Sequence, residues 1–185
     1  MPRKIASVVG LASIALFLVS GCGGSGTDAS IRSGDHQATS PRADTGGTVN
    51  AAGLRTLTYQ GVQFDVPAGW PVYDLTTNPT TCVRFDTHAV YLGHPGANMA
   101  CPAGIVGRTD TVLVEPNDAK SHDASRNGVT AETASGLQAE VADGGNASAE
   151  VDVAFPTAGV SATLTYLDSD ATAQQILQSF RAAAK

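Results

Sequence analysis

Residues 54–185 read as a single α+β domain, an antiparallel β-sheet with a C-terminal helix packed on one face. Two patterns predict this. Val62–Val66 and Ala149–Phe155 alternate apolar with polar residues, so each strand would have a dry and a wet side, as antiparallel sheets with one solvated face do. At the other end of the domain Ala173, Ile176, Leu177, Phe180 and Ala184 recur at helical spacing and form one apolar stripe.

Taken in order, Thr56–Tyr59 and Val62–Val66 flank Gln60-Gly61 and predict a hairpin, with Val62, Phe64 and Val66 on its buried face. Pro67-Ala68-Gly69-Trp70-Pro71 is turn punctuation. Trp70 is the only tryptophan in the chain. It is expected to plug the end of the core, with stacking on a ligand as its alternative use. Cys82–Phe85 and Ala89–Leu92 read as strands, His94–Asn98 as loop, and Thr111–Glu115 as a strand stopped by Pro116. From about Asn117 to Ser135 the chain is polar and aperiodic, which predicts a surface excursion. Leu137–Val141, Ala149–Phe155 and Val160–Tyr166 complete the sheet, with turns at Asp143–Asn146 and Pro156–Gly159. The final helix has Asp168 or Ser169 to cap it and Asp170 where its dipole favours an anion. Arg181 and Lys185 would lie at its favourable end.

The amino-terminal third is built differently. Met1–Lys4 carries two positive charges, and Ile5–Gly21 is an uncharged apolar run diluted by Ser7, Gly10, Ser13 and Ser20. Such a segment is shorter than the ~20 apolar residues a membrane span needs and matches an export signal. Its end, Leu18-Val19-Ser20-Gly21-Cys22, resembles the lipobox of bacterial lipoproteins. That resemblance implies a diacylglyceryl thioether on Cys22, cleavage after Gly21, acylation of the new amino terminus, and residence on the extracytoplasmic face of the cell membrane. Two or more acyl chains hold a protein at a bilayer stably, whereas one does so only marginally. Residues 22–53 form the lipidated cysteine and a Gly/Ser/Thr/Ala/Asp-rich tether that buries too little surface to fold. As a flexible coil it would span on the order of 30 Å.

With Cys22 lipidated, Cys82 and Cys101 remain, and an even remainder in an exported chain reads as one disulfide that completes the fold class. A redox or nucleophilic pair is the alternative, and the spacing is far from C-x-x-C. On chain entropy a loop of this size adds about 3 kcal/mol. That contribution matters in a chain with 5% aromatic residues.

The net charge is −6, and loss of Arg3 and Lys4 takes it to about −8. A nucleic-acid ligand needs a basic field, so that class is excluded. H-E-x-x-H, P-loop and dinucleotide-binding patterns do not occur, and no G-x-S-x-G elbow falls in the folded part. No cofactor, metal or catalytic residue is therefore expected. The candidate binding surface is Asp86, His88 and His94, together with the wet sheet face and the Asn117–Ser135 excursion. Two imidazoles and a carboxylate are the parts of a zinc site, but this i to i+6 spacing is no established ligand pattern. Asp74 and Asp86 could be set against each other as a glycosidase pair, and Arg84 could equally pair with a neighbouring carboxylate. Non-catalytic binding to an envelope protein or glycan is the leading expectation. Its alternatives are an envelope hydrolase at Asp86, His88 and His94, or a carrier with an apolar cavity between sheet and helix.

Gly61–Trp70, Thr81–Phe85, His88–Gly93 and Cys101-Pro102-Ala103 carry a further likeness. The stretch Tyr59–Glu115 resembles an uncharacterised domain of secreted actinobacterial proteins, which in some precedes a glycoside-hydrolase-like domain. No such second domain is expected here, so the resemblance implies no hydrolase activity. In layout, with Phe64-x-Val66-Pro67-x-Gly69-Trp70 early and a strand then a helix last, the chain is similar to the Mog1/PsbP-like sandwich of mycobacterial lipoproteins.

Overall fold

The structure, a computed structural model, describes residues 48–104, 107–118, 129–143 and 149–184. The leader, Cys22, the tether up to residue 47, most of the Asp143–Asn146 turn and Lys185 lie outside the described residues. Among those described the fold is mainly β, with one short helix near the carboxyl end. No described helix is long and apolar enough to cross a membrane.

The chain enters through a turn in which Asn50 Oδ1 accepts from the amides of Ala52 and Leu54. Strands β1 (Leu54–Tyr59) and β2 (Val62–Pro67) then form the expected hairpin. Gln60 and Gly61 both have positive φ, 44° and 84°, which is the twist a two-residue hairpin turn requires. Val62, Phe64 and Val66 are fully buried.

After β2 come β3 (Val72–Asp74), β4 (Ala89–Leu92), β5 (Thr111–Pro116), β6 (Val129–Glu132), β7 (Gln138–Asp143), β8 (Glu150–Phe155) and β9 (Val160–Thr165). They build a seven-stranded sheet in the order β3-β4-β5-β9-β8-β7-β6. From β5 to β6 every pairing is antiparallel, as expected. The expectation fails at the other edge, where β3, β4 and β5 run parallel and make the sheet mixed. Parallel strands need crossovers, and the stretches between β3 and β4 and between β4 and β5 supply them. Ala89-Val90-Tyr91-Leu92 is accordingly buried on both sides. An apolar run without alternation is the mark of such strands.

Three further expectations are corrected. Cys82–Phe85 is not a strand: the Arg84 amide donates to the Tyr91 hydroxyl at 3.1 Å, while Val83 and Phe85 pack against Leu75, Tyr91 and Leu113. The later part of the Asn117–Ser135 excursion is strand β6, paired with β7. The helix, α1 (Ala171–Ser179), is shorter than its apolar stripe. Phe180 is already extended, and Arg181–Ala182 forms β10 on the free edge of β2. There Arg181 grips both oxygens of Asp65 at 3.0 and 3.2 Å, an attachment one more helical turn would forfeit. Ala184 is therefore off the stripe. At the start, Asp170 occupies the cap position without a side-chain bond to a helix amide, and Ser169 Oγ accepts from the Ala171 amide at 3.2 Å.

One apolar cluster joins the hairpin, the inner face of the large sheet and α1. Phe180 stands at its centre, stacked on Phe64 and on Phe155 at 4.7 Å each. The three rings lie where the hairpin, the large sheet and α1 meet. A smaller cluster of Leu75, Ala89, Tyr91 and Leu113 lies on the opposite face, under the crossovers.

Candidate functional site

The parallel register sets Tyr73 of β3 beside Tyr91 of β4, and their rings stack at 5.2 Å. They form part of the wall of a groove of about 510 Å³, a volume typical of small-molecule sites. Asn78, Thr80 and Thr81 from the first crossover line it, with Arg84, Thr87 and His88. Three restraints hold the wall. The Ala100 amide donates to the Thr80 carbonyl at 2.8 Å. Cys82 and Cys101 are joined in the disulfide, their Cα atoms 4.9 Å apart. Gly96 lies so close to Pro79 that a β-carbon there would collide with the Pro79 carbonyl oxygen.

The charged groups of the groove are already engaged. Arg84 donates from Nε and Nη2 to the two oxygens of Asp86, at 3.0 and 2.7 Å. These bonds hold the Asp86 carboxyl below its usual pKa and raise that of Arg84. The neighbour pairing expected for Arg84 is thus present. His88 sits one residue before β4, its ring stacked on Trp70 at 5.4 Å. Its Nδ1 donates to the Asp110 carbonyl at 3.1 Å, which leaves Nε2 without a partner among the described residues. Trp70 is 9% exposed and joins the main core, so it both plugs the core and backs His88. Arg55 Nη2 donates to its carbonyl. Burial, the largest influence, raises the Tyr91 phenol pKa. A second cleft, of about 320 Å³, adjoins His88 between Asp110 and Asp168–Thr172.

Asp86 and His88 are therefore neighbours of one groove, but His94 is elsewhere. It lies beyond the end of β4 whereas His88 precedes its start, so a rise of about 3.3 Å per residue separates their Cα atoms by roughly 15–20 Å. His94 Nδ1 meets Glu115 Oε2 at 2.8 Å, and Nε2 meets Asp118 Oδ2 at 3.1 Å. Burial would lower its pKa, yet the two carboxylates outweigh burial and raise it. Asp74, the other carboxylate set against Asp86 in the sequence, is engaged locally. It accepts from Thr76 and Thr77 in a local turn, bonds that hold its carboxyl below the usual range. Among the described residues no group of three or more His, Cys, Asp or Glu side chains is placed to hold a metal ion.

Sequence reasoning missed Tyr73, Tyr91, Asn78, Thr80 and Thr81. Only the unalternating Ala89–Leu92 run signalled them, because a strand buried on both faces must have something packed over its second side. Comparison with protein-family models, with curated proteins and with solved structures finds no match for the chain.

Proposed function

We propose that this chain is a lipid-anchored extracytoplasmic lipoprotein whose α+β domain is a non-catalytic binding module of the cell envelope, with the Tyr73–Tyr91 groove as its ligand site. One observation carries the binding reading. The groove's ionic groups are tied off, Arg84 to Asp86 and His88 Nδ1 to a carbonyl, while hydroxyls and an amide surround the opening. An acyl-transfer or hydrolytic site instead needs a nucleophile or water set against a free base. The anchoring half rests on Leu18–Cys22 and on the basic, apolar leader before it.

Mass spectrometry of the native protein should find an amino-terminal Cys22 carrying acyl chains, and Cys22→Ser should release the protein from the membrane fraction. An intact leader, or an unmodified residue 22, overturns the anchoring.

A further inference from the structure

Taking the groove as a ligand site, as proposed above, we infer that its ligand is a neutral saccharide. Charge narrows the class first. The Arg84 guanidinium that lines the groove is neutralised by Asp86 through two bonds, and besides His88 the other polar side chains described in the lining are hydroxyls and an amide. Neither an anion nor a cation finds an unpaired opposite charge there, and the −6 of the whole chain adds repulsion against anions.

Hydrogen-bonding pattern narrows it further. Arg84 binds Asp86 through Nε and Nη2, which leaves Nη1 as a donor without a partner among the described residues. With Nδ1–H donating to the Asp110 carbonyl, His88 Nε2 is the ring nitrogen left to meet a ligand hydroxyl. Asn78 Oδ1 accepts from Thr80, and its amide nitrogen remains to donate. The lining therefore combines donors with an acceptor. Vicinal hydroxyls, each able to donate and accept, are the groups that satisfy such a set. Tyr73, partly buried and backed by the buried Tyr91 ring on which it stacks, offers rigid aromatic surface for the C–H side of a sugar ring. The disulfide-pinned wall also lowers the ordering cost of binding.

Trp70 makes the test direct, because the chain's single tryptophan stacks on His88. The full chain is presented to two arrays, one of neutral and one of acidic di- to tetrasaccharides, with inorganic phosphate as a third ligand. Hits are titrated by tryptophan fluorescence. Neutral saccharides should bind and change Trp70 emission. Tyr73→Phe should retain that binding, and Asn78→Ala should weaken it about tenfold, a loss typical of a central polar contact. Asp86→Asn exposes the Arg84 charge and should shift preference toward acidic saccharides. Binding of acidic saccharides or phosphate alone by the unmodified protein, lost in Asn78→Ala, overturns the neutral class but keeps the groove. Absence of binding to either array overturns the saccharide assignment. The groove reading itself falls if the binding is indifferent to both substitutions.

Discussion

His94 has both ring nitrogens against carboxylate oxygens, and only an imidazolium can donate to two such acceptors at once. Its folded pKa is accordingly raised above the ordinary 6.5, burial notwithstanding. A raised folded pKa means stabilisation that is complete below the unfolded value and fades as pH climbs through the folded one. His94→Gln should therefore cost about 1.5–3 kcal/mol near pH 5.5, the range for bonds involving charged groups, and much less near pH 9. Urea unfolding at the two pH values checks this. A His94 NMR titration with its midpoint at or below 6.5 would remove the clamp. The choice of His88 and His94 as candidate surface was legible from their residue types, whereas their separation was not. Six residues of sequence look like proximity until four of the intervening five become an extended strand.

At the level of elements, α1 is fastened more by Phe180 and Arg181 at its carboxyl end than by its own caps. Phe180 fills the gap between Phe64 on the small sheet and Phe155 on the large one, and Arg181 closes on Asp65 just beyond. Burial works against the Asp65 carboxylate, but bonds from Arg181 and Thr56 hold its pKa below the usual range. Phe180→Ala should cost about 3–5 kcal/mol by chemical denaturation, since two stacked neighbours cannot both collapse into the void. A loss under about 1 kcal/mol would show the stack to be incidental. The stripe of Ala173, Ile176, Leu177 and Phe180 was readable from its spacing, and so was the hairpin. Where the helix stops was not. Residues 181–184 have adequate helix propensity, and only the open edge of β2 and the position of Asp65 draw Arg181 and Ala182 into a strand.

Across the whole molecule, the two apolar clusters depend on different supports. The larger one is closed by strand pairing and α1, while the smaller lies under crossovers clipped by Cys82–Cys101. Replacing both cysteines with serine should cost about 3 kcal/mol. Hydrogen exchange should then quicken around Leu75 and Arg84 while the β2 and β8 amides stay protected. Equal acceleration everywhere would mean that the clusters unfold as one. Hydrophobic periodicity and cysteine parity suffice to read most of the strands, the hairpin, a terminal helix and a disulfide from the chain alone, because each is a local or counting property. Strand direction and partner choice are not local. Alternation records which side of a strand is dry, yet it is blind to whether the neighbour runs up or down. The groove exists because β3 and β4 are parallel neighbours with a crossover folded over them, a contact between distant segments that packing alone could choose.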